Sequence, residues 1–219
     1  MTLPLAFVFW ASLAAVAWTY AGYPLLLLAL ARLRRASQHR RAPVPSAPLE
    51  PTVTVIISAY NEETVIRQKL ESTLALDYPA EKLEVIVASD CSTDRTHELV
   101  RELAPRGVRL VVLPGRAGKT AAQNLAAAAA GGELLIFTDA TTALDRDSVR
   151  QLVACFADPR VGCAGAELEY VSEGGSAVGQ GGGLYWRYEK RVKELEAEVS
   201  TLIGVSGCLY AVRASAYRP

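Results

Sequence analysis

The sequence predicts an α/β fold, a mostly parallel central sheet with helices on both faces, preceded by one N-terminal transmembrane helix. Two observations carry this. Four short β-branched runs alternate with helical patterns between Val53 and Phe156, which is the signature of βαβ units around a covered parallel sheet. Ahead of them, the first 31 residues hold no charged side chain, more than the roughly 20 apolar residues that a bilayer-spanning helix needs.

Residues 1–33 therefore read as a retained anchor. A cleaved leader would carry a positive n-region and a shorter apolar core. Arg32, Arg34, Arg35, Arg40 and Arg41 follow the apolar run, and a short basic flank marks the cytoplasmic side, so the domain beyond is expected at the cell membrane facing the cytoplasm. Pro24 either kinks one helix or separates a span from an interfacial piece. Residues 34–51 form a basic, proline-rich linker that ends in APVPSAPLEP, a semi-rigid spacer. Residues 52–219 form the folded domain.

Within that domain the expected strands are Val53–Ser58, Leu83–Ala88, Val108–Leu113 and Glu133–Phe137. The helical patterns run Glu62–Ala75, Asp94–Ala104, Lys119–Ala130 and Asp145–Phe156. Function in such sheets gathers at the carboxyl ends of the strands, which directs attention to Ala59–Glu62, Ser89–Asp90, Pro114–Gly115 and Thr138–Asp139. After Val161 a partly alternating run, VGCAGAELEYV, leads into a glycine-rich loop expected from Gly174 to Gly183. Tyr185, Tyr188, Val192, Leu195 and Val199 then share one helical stripe, with Glu189 and Lys193 as an i,i+4 pair on the charged face. That stripe fits a packing helix, or one lying against a membrane surface.

Composition removes several function classes. Lys plus Arg and Asp plus Glu both number 23, so no charge excess points to nucleic acid. The four cysteines form no CxxC pair and stand far from both histidines, which disfavours zinc and suits reduced thiols in the cytosol. GRAGKT resembles part of a P-loop, but the glycine required five residues before Gly118 is Leu113, and the run follows the third strand. A P-loop NTPase is excluded.

Transfer of a sugar from a nucleoside diphosphate needs a pocket that reads the base, charge neutralisation for the departing diphosphate, and a base for the acceptor hydroxyl. Asp90 suits the first need, because an ionised carboxylate accepts a hydrogen bond from the imide N–H of uracil. It reads equally as a turn or capping residue ahead of CSTDRT. Asp139, closing the fourth strand, suits a hard divalent cation bridging two phosphates, or backbone N–H groups in a turn. Lys119 opens a helix whose N-terminal N–H groups favour anions; solvation at the surface is the alternative.

The runs VTVIISAYNEE, VIVASDCSTDRT, LPGRAGKTAAQNLA and LLIFTDATT, in this order, resemble family 2 glycosyltransferases of the GT-A fold, nearest to the membrane-embedded cellulose and hyaluronan synthase group. The resemblance covers Pro51 to about Pro219. It implies that Ala59, Tyr60 and Glu62 line a nucleotide pocket, that Asp90 contacts uracil, that Lys119 lies near the nucleotide, and that Asp139 begins the DxD motif and holds Mg2+ or Mn2+. Asp94 and Arg95 match a structural turn. Ser206, Gly207 and Cys208 resemble the strand that borders the acceptor and donor sugar. The implied activity is inverting transfer from a nucleotide sugar, a UDP-sugar in this reading, to a glycan or lipid acceptor.

Two departures stand out. The DxD motif reads Asp139-Ala140-Thr141, so a hydroxyl replaces the second carboxylate. The family's catalytic-base motif, its QxxRW motif and its further membrane helices are expected beyond Pro219, which makes this chain a nucleotide-binding part that is inactive alone; Glu167 and Glu169 do not match the base. A non-catalytic nucleotide-binding or scaffold module is the rival reading. A nucleotidyltransferase shares the α/β pattern but leaves the anchor unexplained.

Overall fold

The computed structural model describes residues 3–37, 49–167, 177–200 and 204–219. The chain divides into two compact units, one of residues Met1–Ala42 with Glu169–Gly204, the other of Pro43–Leu168 with Val205–Pro219.

In the first unit, helix α1 (Leu3–Ala17) passes through a π turn (Trp18–Gly22) into α2 (Tyr23–Ser37). Pro24 falls just after the π turn, and the helix continues through it. A 32-residue stretch, Pro4–Arg35, is long and apolar enough to cross a membrane. The unit is completed by α7 (Ala177–Val199). Leu27 and Ala31 of α2 bury themselves against Leu195 of α7, with Val192 and Val199 alongside. Lys193 and Glu189 pair at 2.7 Å, as their spacing predicts. The expected glycine-rich loop is corrected in part: residues 177–183 are helical, and 174–176 lie outside the described residues. Each glycine weakens a helix by only about 1 kcal/mol without forbidding it.

The second unit holds β1 (Val53–Ala59), α3 (Ile66–Leu74), β2 (Leu83–Ser89), α4 (Thr96–Glu102), β3 (Val108–Val112), α5 (Lys119–Ala128), β4 (Leu134–Asp139), α6 (Ser148–Cys155), β5 (Cys163–Gly165) and β6 (Leu209–Arg213). The sheet order is β3-β2-β1-β4-β6-β5. The first four strands are parallel; β6 runs antiparallel to β4, and β5 to β6. The sheet is therefore mixed.

Successive residues of β1 feed opposite faces. Val53, Val55 and Ile57 enter the core beneath α3, α4 and α6, while Ile56 joins Ile86, Leu135 and Phe137 beneath Ala122 and Ala126 of α5. Burial on both sides is why the strand sequence reads as an unbroken apolar run.

Three of the four expected helices begin later than their polar openings, while α5 starts at Lys119 as expected. Glu62 and Asp94 instead build turns: Ile66 N–H donates to Glu62 O at 2.9 Å, and Asp94 accepts from Thr96 N–H at 3.0 Å and from Glu63 N–H at 3.0 Å. This ties the ends of β1 and β2 together, in keeping with the structural turn expected at Asp94 and Arg95. The strand expected around Ser206–Cys208 starts only at Leu209.

Asn61 and Cys91, each just past the end of a neighbouring parallel strand, have φ of 55° and 61°. Asn61 suits that conformation; a cysteine there carries backbone strain. Gly132 enters β4 so close to β1 that an added Cβ would stand 2.5 Å from Thr54 N. Cys91→Gly is expected to raise stability by about 0.5–1 kcal/mol, and Gly132→Ala to lower it by about 2 kcal/mol. Urea unfolding of both variants checks the opposite signs.

Candidate functional site

Strand order reverses at β1: β2 and β3 lie on one side, β4 on the other. The crevice at the carboxyl ends of β1 and β4 is where such a sheet leaves room for a ligand. A cavity of about 400 Å3 opens there, lined by Ser58, Ala59, Tyr60, Glu62, Ala88, Asp90, Arg116, Gly118, Lys119, Ala122, Asp139, Ala140 and Thr141.

Asp90 is 6% exposed. Its Oδ1 accepts from the backbone N–H groups of Ala117 and Gly118 at 2.8 and 3.0 Å. One carboxylate oxygen thus anchors the loop after β3. The other faces Arg116, whose Nε lies 3.9 Å from Oδ2. The Arg116 guanidinium also sits 4.1 Å from the centroid of the Tyr60 ring, so Tyr60, Arg116 and the free oxygen of Asp90 form a flat, polar-edged end of the cavity. Behind Asp90, Ser89 Oγ contacts His97 Nε2 at 2.7 Å and Ser92 Oγ at 3.0 Å.

At the other end Asp139 meets Lys119. The two side chains form an ion pair, and Lys119 Nζ also donates to the Gly207 carbonyl at 3.3 Å. Lys119 follows Gly118, whose φ of 92° turns the loop into α5. Glu62 completes the wall; burial first, then Asp139 and Asp94, raises its carboxyl above the usual range.

Beneath this wall lies Lys69 of α3, 4% exposed. Its ammonium donates to Thr138 Oγ1 at 3.1 Å and to the Thr142 carbonyl at 2.6 Å. It therefore grips both ends of the turn that carries Asp139, Ala140 and Thr141. Burial pushes this lysine down to about 8, with Asp139 opposing the shift.

The structure brings Ala59, Tyr60, Glu62, Asp90, Lys119 and Asp139 to one cavity. Gly207 reaches it only through the carbonyl bonded to Lys119; Ser206 and Cys208 are not among the lining residues. Sequence reading missed Arg116 and Lys69. For Lys69 a signal existed: it shares the 66, 69, 70, 73 stripe that α3 buries, and a cation on an apolar stripe is out of place unless it has partners inside. Arg116 carried no comparable signal.

A family model described as Glycosyl transferase family 2 matches residues 54–218. The chain belongs to glycosyl transferase family 2. This family 2 chain is 38% identical over 108 residues to the probable glycosyltransferase YdaM of Bacillus subtilis, covering 47% of this chain and 26% of that protein. It is 34% identical over 116 residues to a beta-monoglucosyldiacylglycerol synthase of Synechocystis, covering 51% and 24%. It thus spans about a quarter of the length of these relatives. Among solved structures, the mannosyltransferase PcManGT from Pyrobaculum calidifontis, in complex with GDP-Man and Mn2+, superposes with a TM-score of 0.70 at 29% identity, over 91% of this chain and 55% of that one. The fold is GT-A-like.

Two outcomes test the family 2 site as built. Asp90→Ala should cost about 1–3 kcal/mol in denaturant unfolding, because two backbone donors lose their acceptor. His97 is held below its ordinary 6.5 by burial and by Arg101, against Asp94. The folded state therefore binds fewer protons there than the unfolded chain, and stability should fall as pH drops below about 6.5. In His97→Gln that slope should flatten, which pH-dependent unfolding reads.

Proposed function

We propose that this domain binds a nucleoside-diphosphate sugar, a UDP-sugar by preference, and serves its transfer to a glycan or lipid acceptor with inversion at the anomeric carbon. The supporting observation is the single cavity that gathers Tyr60, Asp90, Lys119 and Asp139 at the β1/β4 crevice.

Tyr60 supplies a flat face for the base, and the free Oδ2 of Asp90 accepts the imide N–H of uracil while Oδ1 keeps the loop in place. Arg116 closes over the same end. Lys119 exchanges Asp139 for a phosphate oxygen, beside the N–H groups that open α5. Divalent metal use is part of the reading: the mannosyltransferase relative is in complex with Mn2+. Among the described residues no group of three or more His, Cys, Asp or Glu side chains gathers. The donor set is one carboxylate, Asp139, with the Thr141 hydroxyl nearby. This fits Mg2+ or Mn2+, which are bound through one or two carboxylates and complete their shells with water and phosphate oxygens. When bound, the ion would neutralise charge on the diphosphate. Lys69 keeps the Asp139–Thr142 turn in shape from below. We place the domain at the cytoplasmic face of the cell membrane, supported by the apolar helix Pro4–Arg35 and its arginine-rich flank.

Calorimetry with UDP and with GDP, each with and without Mn2+, tests the site. UDP should bind more tightly than GDP, and chelation of Mn2+ should weaken it at least tenfold. Asp139→Asn should remove the metal dependence, and no difference with or without metal would sink this assignment. Lys69→Met should keep the fold, since a buried charge is lost with the hydrogen bonds. It should weaken UDP about tenfold with Mn2+ and hardly at all without it.

A further inference from the structure

In the helical unit the hydroxyl of Tyr188 lies 3.3 Å from the carbonyl oxygen of Thr19 and 3.4 Å from that of Tyr20. These are the two carbonyls within reach of the N–H that Pro24 lacks. Its ring nitrogen has no hydrogen to give to the carbonyl four residues back in an α-helix or five back in a π turn. From Arg187 onward α7 is strongly polar: eight of the twelve residues Arg187–Glu198 are charged. This charged part runs along α2, where the Tyr23 hydroxyl donates to Glu196 at 2.6 Å and Arg35 Nε to Glu198 at 2.8 Å. On the other side of the π turn the large apolar side chains from Leu5 to Tyr20 are 48% to 76% exposed.

We propose that the membrane hydrocarbon ends at the π turn. Leu3–Tyr20 is the lipid-embedded segment, and α2 with the charged part of α7 forms a two-helix stem in and beyond the headgroup layer. The proposal rests on the membrane reading given above and adds the depth of insertion.

Four observations converge on that level. Eighteen residues of helix, Leu3–Tyr20, extend about 27 Å, close to the roughly 30 Å of a bilayer's hydrocarbon. Trp18, Tyr20, Tyr23 and Tyr188 gather around the turn, and such aromatic side chains favour the interface. A carbonyl without a donor is costly where water is scarce, and Tyr188 supplies the donor at that level. Charged side chains begin at the same level, with Arg187 and Glu189 on either side of Tyr188. Sliding the helix about ten residues deeper would bury the exposed Leu25, Leu26 and Leu30, but it would drag the first charged turns of α7 into lipid. Each charge so placed costs more than an exposed leucine returns.

The test uses the full chain in phosphatidylcholine vesicles brominated at shallow or at deep acyl carbons, with variants that keep one of the three tryptophans. Trp18→Phe with Trp186→Phe leaves Trp10; Trp10→Phe with Trp186→Phe leaves Trp18. Trp10 lies eight residues, about 12 Å, further along the helix. Deep bromines should quench Trp10 most strongly, and shallow ones Trp18. Equal depths, or Trp18 the deeper, overturn the boundary while leaving the anchor standing. Quenching of neither overturns the membrane reading and this proposal with it.

Discussion

The cavity depends on the pairing of β1 on both sides. Val53–Ala59 registers with Leu83–Ser89 on one edge and with Leu134–Asp139 on the other, and its side chains are buried on both faces. A strand so enclosed cannot slip by one residue without turning its apolar set over. The register that satisfies the core is therefore also the register that sets Ala59, Asp90 and Asp139 at one level. The level of the acidic groups is set by core packing, while Lys69 and the Ala117 and Gly118 N–H groups hold the turn and loop around them.

Like charges brought to one level repel, and the arrangement meets this in distinct ways. Asp90 spends one oxygen on two backbone N–H groups and faces Arg116 with the other. Asp139 has Lys119 in front, on the cavity side, and Lys69 behind, on the core side. Glu62 forms no ion pair among the described residues, and its carboxyl is raised by burial first and then by Asp139 and Asp94. The cation in front is partly exposed and free to exchange partners. The one behind is buried and bonded to the turn itself, which suits a part that holds shape while the other responds to an incoming anion.

Much of this was legible in the chain. The four parallel strands and the helices between them follow from apolar periodicity and β-branched runs, and Asp90, Lys119 and Asp139 follow from their places at strand and helix ends. Helix starts at Glu62 and Asp94 were not legible, because the Asp94 carboxylate accepts the Glu63 and Thr96 N–H groups and the Glu62 N–H donates to Thr96 Oγ1, contacts between two loops. The helix over 177–183 was hidden by its glycines. Arg116 was invisible because its role depends on Tyr60, 56 positions away in sequence.

What the sequence determined by itself was the set of elements, the apolar N-terminal helix, and the identity of the charged groups Glu62, Asp90, Lys119 and Asp139 that line the cavity. Those properties are local, since periodicity, turn chemistry and residue type act within a few positions. Tertiary structure alone decided which oxygen of Asp90 is left free, that Lys69 stands beneath the Asp139 turn, that β6 returns antiparallel beside β4, and that Tyr188 meets the Thr19 and Tyr20 carbonyls beside Pro24. Each of these is a distance between residues far apart in the chain, and such distances exist only once packing has closed the loops between them.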